Sequence, residues 1–203
     1  MNLLQADIKL KKLNLPYLTT REVSAYLGIS TVYASLVLKR LLTAGCISKL
    51  ARGRWIFKKS IDPFLLPEYL TEPSPSYVSF HSALYHHQII SQIPGIVYAA
   101  SLARTKRYTT ETCDISVHHL DPTFFFGFEV VGQSQIKMAI PEKAVIDYLY
   151  LFSAKSKLFR SLPEVELPKD FNVKLCYQII KKISSKGRRT MVLKLFNKMI
   201  AAL

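Results

Sequence analysis

The chain has 203 residues, of which 49% are apolar, and its formal net charge is +14. This length indicates one or two small domains, and this apolar content excludes a globally disordered chain. The positive charge favours a polyanionic partner, most often nucleic acid and less often a membrane surface.

The charge is distributed unevenly along the chain. Residues 1–60 carry eleven Lys/Arg and two Asp/Glu, residues 61–153 carry five and nine, and residues 154–203 carry twelve and three. The net charges of these segments are therefore +9, −4 and +9. The basic head suits phosphates, whereas the acidic middle would be repelled by DNA and suits a protein partner.

The first 45 residues predict three helices in succession. A short helix is expected within 3–13. The second is expected to begin with a cap at Thr20 and to end at Gly28, where a positive φ has little steric cost. Ser30 caps the third helix, whose apolar residues recur at the spacing of an amphipathic helix: Ala34, Val37, Leu38, Leu41 and Leu42.

A hairpin is expected next, because two short β-like runs, 47–50 and 54–57, flank a glycine turn. In helix-turn-helix proteins the second helix enters the major groove by its N-terminal end. Small or polar side chains there approach the bases, Val32 being placed to touch a thymine methyl, and nearby cations neutralise phosphates. A helical pair with a solvated basic face is the alternative. The predicted DNA-binding residues are Thr20, Arg21, Ser30, Thr31, Val32, Tyr33, Ser35, Lys39, Arg40, Arg52 and Arg54, with Lys58 and Lys59 as further cations.

The expected fold class is α/β of the α+β type, in three parts. Residues 1–60 form a winged helix-turn-helix domain, residues 61–76 a linker whose four prolines interrupt regular structure, and residues 77–203 a mixed α/β domain that ends in basic helices. In this last part, strands are expected at 95–101, 113–120, 124–131 and 136–140, and helices at 79–89 and 141–152 and near 170–183 and 189–202.

The stretch Thr19–Phe57, "TTREVSAYLGISTVYASLVLKRLLTAGCISKLARGRWIF", resembles the winged helix-turn-helix of many bacterial regulators. Together with "HSALYHHQII", "GIVYAAS" and "KMAIPEKAVIDYLYL", it is similar to the AbiEi family. This family comprises antitoxins of the AbiE phage-abortive-infection toxin–antitoxin systems, described as type IV. The resemblance covers residues 15–155, and "AIPEKAVIDYL" (Ala139–Leu149) is its most specific part.

The resemblance implies two activities. The winged helix represses the antitoxin–toxin operon by binding inverted repeats in its double-stranded promoter DNA, and the C-terminal domain neutralises a nucleotidyltransferase-like toxin without needing a stable complex. The family motif places Pro141, Glu142, Lys143 and Asp147 in the antitoxin domain. A structural role also suits them: Pro141 and Glu142 fit a first helical turn, and Lys143 and Asp147 are spaced to pair at the surface.

Two other functions stay open: a stand-alone regulator that senses a ligand, and an RNA-binding protein that uses both basic ends. An enzyme is not expected, because the sequence lacks a P-loop, a GxSxG motif and an HExxH motif. Neither catalytic residues nor cofactors are therefore predicted. Metal binding is not expected either, although five histidines occur: His81, His86, His87, His118 and His119.

The three cysteines, Cys46, Cys113 and Cys176, are more than 60 residues apart. Such spacing predicts buried, reduced thiols and a cytoplasmic protein. The polar start of the chain predicts no secretory signal, and no membrane span is expected. We expect a monomer or a weak dimer.

Overall fold

The computed structural model describes residues 2–57, 61–132, 134–152 and 164–203. These residues form two compact units, one comprising the chain up to Asp62 with Thr109–Cys113, and the other comprising Pro63–Tyr108 with Asp114–Leu203. The chain is a mixed α/β protein, with eight α-helices and two sheets in its described part.

The first unit contains three helices and a small antiparallel sheet. The helices are α1 (Leu3–Lys11), α2 (Thr20–Leu27) and α3 (Thr31–Thr43), and the strands are β1 (Leu18–Thr19), β2 (Ile47–Ala51) and β3 (Arg54–Phe57), in the order β1-β3-β2. Its core consists of apolar side chains from every helix and from β1 and β2: Ala6, Leu10, Leu18, Val23, Ala34, Val37, Leu38, Leu41 and Ile47.

The cap of α2 differs from the prediction. The Thr19 hydroxyl accepts the Glu22 N–H at 3.1 Å, and the Glu22 carboxylate accepts the Thr19 N–H at 2.7 Å, which closes a capping box. The expectation that Thr20 caps this helix was wrong by one residue, because Thr20 already has helical geometry. Gly28 ends the helix at φ 63°, as predicted.

The second unit is built on a six-stranded mixed sheet of order β6-β7-β5-β4-β9-β8. Pairs β4–β9 and β5–β7 are parallel, whereas β4–β5 and β8–β9 are antiparallel. The strands are β4 (Ser76–Val78), β5 (Val97–Ser101), β6 (Lys106–Thr109), β7 (Asp114–His119), β8 (Phe128–Val131) and β9 (Ile136–Ala139). Five helices accompany the sheet: α4 (Leu66–Thr71), α5 (Phe80–His86), α6 (Pro141–Phe152), α7 (Val173–Lys181) and α8 (Lys186–Ile200).

The segment predicted as a linker, 61–76, contains regular structure. A 3-10 turn at Pro63–Leu65 leads into α4, in which Leu66 and Leu70 are buried. Pro67 is tolerated because it lies in the first turn of α4, where its missing N–H leaves no helical hydrogen bond unmade. The expectation that the prolines interrupt regular structure was therefore wrong for this helix.

Helix α6 lies at the centre of the second unit. It contacts α5, α7, α8 and β9, and every residue from Glu142 to Tyr150 is buried. Asn172 and Ser185 cap α7 and α8, which start at Val173 and Lys186 rather than near 170 and 189. In the described part of the chain, no single helix combines the length and apolar composition needed to cross a bilayer.

Candidate nucleic-acid interface

Helices α2 and α3 form a tight bend in the first unit. The chain changes direction by 108° between them, over residues 28–30. The Ser24 hydroxyl donates to the Ile29 carbonyl at 2.6 Å and so holds the turn against α2. The Ser30 hydroxyl accepts the Tyr33 N–H at 3.2 Å and caps α3, as predicted. This arrangement fixes the N-terminal end of α3 on the surface of the unit.

The buried stripe of α3 determines which residues face outward. Ala34, Val37, Leu38 and Leu41 are buried, so at 100° per residue the opposite face is centred on positions 32, 36, 39 and 43. Val32 is 72% exposed and Leu36 is 48% exposed. Of the predicted DNA-binding residues on α3, five are exposed: Thr31, Val32, Ser35, Lys39 and Arg40.

Two predicted base readers on α3 are partly engaged within the unit. Tyr33 is half-buried and packs against the core of the first unit, so its ring supports α3. The Ser35 hydroxyl donates to the Thr31 carbonyl at 2.9 Å, as serine commonly does inside a helix. Leu36 was absent from the predicted set, although its position one turn after Val32 was a usable signal.

The hairpin β2–β3 presents one of its two arginines at the tip. Arg52 is exposed beside Gly53, which has a φ of 72°. Arg54 is instead half-buried in β3, with its guanidinium carbon 5.7 Å from the centre of the Tyr17 ring. Lys58 and Lys59 lie outside the described residues.

The two predicted residues on α2 have different environments. Arg21 is exposed. The Thr20 hydroxyl oxygen accepts the Trp55 indole N–H at 3.1 Å, so it ties the start of α2 to β3. Thr20, which was predicted as a DNA-binding residue, therefore has a structural hydrogen bond within the first unit.

Few carboxylates balance these cations. Asp7 and Glu22 are the acidic residues of 2–57. Asp7 pairs with Lys11, and the Glu22 carboxylate is held in the capping box of α2. The exposed cations Arg21, Lys39, Arg40 and Arg52 thus have no carboxylate partner within 2–57. This surface is electrostatically suited to phosphate.

The family motif on α6 is buried. Pro141 begins the helix, and the Glu142 carboxylate accepts the Asn172 N–H at 2.8 Å. Lys143 and Asp147 form an ion pair, as predicted, but both side chains have no exposed surface. The expected surface location was wrong, because α6 is surrounded by other elements of the second unit.

Lys143 and Asp147 share a polar centre with aromatic walls. The Tyr77 and Ser79 hydroxyls donate to Asp147 Oδ2 at 2.9 and 2.8 Å, and Lys143 donates to Oδ1. Lys143 Nζ lies 3.8 Å from the centre of the Phe124 ring, which is cation–π geometry. Burial lowers the pKa of the Lys143 ammonium, and Asp147 opposes that change. The carboxylate is thus fully hydrogen-bonded inside the unit.

A second buried polar cluster involves histidines on α5 and β7. His118 is buried, and its Nε2 lies 2.9 Å from the Ser116 hydroxyl. Burial, and to a lesser degree the nearby His81, lower the pKa of His118 to about 4, so the ring is neutral at pH 7. His81 packs edge-on against Tyr148 of α6. In the described part of the chain, no three His, Cys, Asp or Glu side chains are placed to hold a metal ion together.

Three cations of the basic tail contact other groups of the second unit. The Arg188 guanidinium donates to the Tyr150 hydroxyl at 2.6 Å, and Arg189 donates to the carbonyls of Lys181 and Ile183. Lys182 Nζ lies 4.3 Å from the centre of the Phe126 ring. Residues 154–163 of the tail lie outside the described residues.

The cysteines differ in burial. Cys176 is fully buried, and burial raises the pKa of its thiol to about 12, which makes it unreactive. Cys46 and Cys113 are half-buried rather than buried as expected.

A scan of protein-family models and a search of curated proteins both found no match to the chain.

Proposed function

We propose that this chain is an AbiE-type antitoxin that represses its own operon and neutralises a nucleotidyltransferase-like toxin. In this proposal the first unit is a winged helix-turn-helix, with α2 and α3 as the two helices and the β2–β3 hairpin as the wing. It binds inverted repeats in promoter DNA. The protein acts in the cytoplasm as a monomer or weak dimer, without a cofactor or catalytic activity.

The observation that carries the DNA-binding half is the exposed, cation-flanked outward face of α3. The bend of 108° between α2 and α3 lies in the range of about 90–120° typical of helix-turn-helix motifs. Exposed Lys39, Arg40 and Arg52 are available to neutralise phosphates and to release their counterions.

The antitoxin half rests on the resemblance of Ala139–Leu149 to the family motif and on the acidic charge of residues 61–153. The buried positions of Glu142, Lys143 and Asp147 favour a role in holding the second unit together over direct contact with a toxin. Toxin neutralisation is therefore assigned to the second unit as a folded whole.

The DNA-binding half is tested with the full chain and two duplexes of equal composition, its own promoter and a scrambled version. Fluorescence anisotropy at moderate salt is expected to show tighter binding to the promoter. Arg52→Ala is expected to weaken binding to both duplexes, because it removes a phosphate contact. Lys11→Ala is the matched control, since Lys11 is already paired with Asp7. Equal affinity of the unmodified chain for both duplexes would refute specific repression.

The antitoxin half is tested by co-expression with the toxin, scored by growth, beside a promoter–reporter fusion. The triple variant Lys39→Ala/Arg40→Ala/Arg52→Ala is expected to lose repression and still rescue growth. Loss of both activities in a soluble variant would favour the RNA-binding alternative, in which the basic surface shields the toxin's target. No rescue by the unmodified chain would refute the antitoxin assignment and favour a stand-alone, ligand-sensing regulator.

A further inference from the structure

The centre of the outward face of α3 is apolar. Val32 and Leu36 lie one turn apart on the side of the helix opposite the buried stripe, and they are 72% and 48% exposed. Exposed apolar side chains are common on proteins, and Leu4 and Ile8 form a similar exposed pair on α1. Val32 and Leu36 differ in their place, because they lie in the first two turns of the proposed recognition helix, the part that enters the major groove in helix-turn-helix proteins. Lys39 continues the same face one turn later.

The first two turns of this face lack side chains that read bases by paired hydrogen bonds. Guanine is usually read by Arg or Lys, and adenine by Asn or Gln. The outward positions here hold two hydroxyls and two aliphatic groups, at Thr31, Val32, Ser35 and Leu36. The Ser35 hydroxyl proton is already donated to the Thr31 carbonyl, and the single hydroxyl of Thr31 can bond to more than one base. The side chains of these two turns that can select one base are therefore the apolar Val32 and Leu36.

We infer that Val32 and Leu36 recognise the C5-methyl groups of thymines in the major groove, so that the preferred half-site is thymine-rich. The inference rests on the proposed DNA binding and specifies what α3 reads. Duplex DNA is the occupant favoured by charge, because Lys39, Arg40 and Arg52 flank this face without a carboxylate partner within 2–57.

The spacing of the two side chains restricts the pattern of thymines. Four residues of α-helix rise about 6 Å. Successive bases on one strand are separated by about 3.4 Å. Val32 and Leu36 therefore reach thymines one or two base steps apart.

The experiment begins with selection of preferred sites by the full chain from a library of random 30-base-pair duplexes, which needs no prior operator. Each thymine of the recovered half-site is then replaced by uracil, which removes the methyl group and keeps base pairing. The affinity is expected to fall about fourfold for each of two thymines, one or two steps apart, and to stay unchanged elsewhere.

The variants Val32→Ala and Leu36→Ala show which side chain contacts which thymine methyl group. Alanine favours helix, so both variants are expected to fold. Each variant is expected to bind the thymine duplex more weakly and to lose its sensitivity to uracil at one position. Arg52→Ala is the control, since it is expected to weaken binding to thymine and uracil duplexes by the same factor.

Three outcomes would overturn the inference. A recovered sequence whose affinity is indifferent to uracil would overturn the methyl readout and leave the proposed DNA binding intact. A library without any preferred sequence would overturn both. Self-association of the chain that Leu36→Ala abolishes, with unchanged DNA affinity, would assign this face to a protein contact through the groove that Leu36 shares with Leu3.

Discussion

Helix α3 carries most of the predicted DNA-binding residues and helix α6 carries the family motif, and the two helices differ in how far these residues are exposed. On α3, the outward side chains Val32, Leu36 and Lys39 are exposed, while a single stripe packs inward. On α6, Glu142, Lys143 and Asp147 are buried with their hydrogen bonds satisfied inside the unit. Substitutions on α3 should therefore change binding with little effect on folding, and substitutions on α6 should change folding first.

The largest expected loss of stability comes from the substitution Lys143→Ala. This change leaves the buried Asp147 carboxylate without its cation and opens a cavity beside Phe124. The free energy of unfolding is expected to fall by about 3–5 kcal/mol, the usual cost of removing one partner of a buried ion pair. Urea unfolding of the full chain at pH 7 measures it. A loss below about 1 kcal/mol would contradict the view that this pair organises the second unit.

The next effect is a loss of stability in acid that depends on His118. Its pKa is about 4 in the folded chain, against about 6.5 in the unfolded chain. Well above pH 6.5 His118 is protonated in neither state, and its contribution to stability is fully present. As the pH falls from about 6.5 to about 4, the unfolded state gains a proton that the folded state does not, so up to about 3 kcal/mol is lost.

The measurement for His118 compares urea unfolding at pH 7.5 and 4.5 for the unmodified chain and for His118→Gln. The difference between the two proteins removes the contribution of carboxylates that titrate in the same range. His81, whose pKa is also lowered by burial, contributes in the same direction and is tested with His81→Gln. An unchanged pH dependence in both variants would show that neither ring is kept neutral by burial.

A smaller loss of stability is expected when either of two glycines with positive φ is replaced by alanine, and the loss should differ between the two. Gly28 has a φ of 63°, and an added Cβ would meet nothing within 4 Å, so Gly28→Ala is expected to cost about 1–2 kcal/mol from backbone strain alone. Gly127 has a φ of 75°, and an added Cβ would lie 3.1 Å from Cγ and Cδ of Lys143. Gly127→Ala is expected to cost about 1–2 kcal/mol more. Equal losses of stability for the two variants in thermal unfolding would show that the Lys143 side chain moves away from the added Cβ without cost.

The smallest effect on folding is expected for Lys39→Ala. Lys39 is exposed on α3, so the free energy of unfolding should change by less than about 0.5 kcal/mol. The affinity of the Lys39→Ala variant for every duplex should nevertheless fall. The magnitude of the slope of log affinity against log salt concentration should decrease by about 1. A large loss of stability without a change in that slope would reverse the roles assigned to α3 and α6.

The hydrophobic periodicity of α3, the Gly28 stop and the β2–β3 hairpin were predictable, because each depends on residues close together in sequence. Strands β4 and β6 were missed because they have only three and four residues and no alternating pattern. The predicted strand over 124–131 is shorter, since Pro122–Phe124 forms a 3-10 turn and Gly127 bends the chain before β8.

The candidate surface on α3 was largely predictable, because an amphipathic helix shows its outward face in its own spacing. The surroundings of Lys143 and Asp147 were not, since the same i, i+4 spacing occurs on exposed and buried helices. A partial signal existed in the apolar run Ala144–Ile146 and Tyr148–Phe152, which leaves α6 almost no polar face. The burial itself results from α5, α7, α8 and β9, which surround α6 and come from segments up to about 60 residues away in sequence.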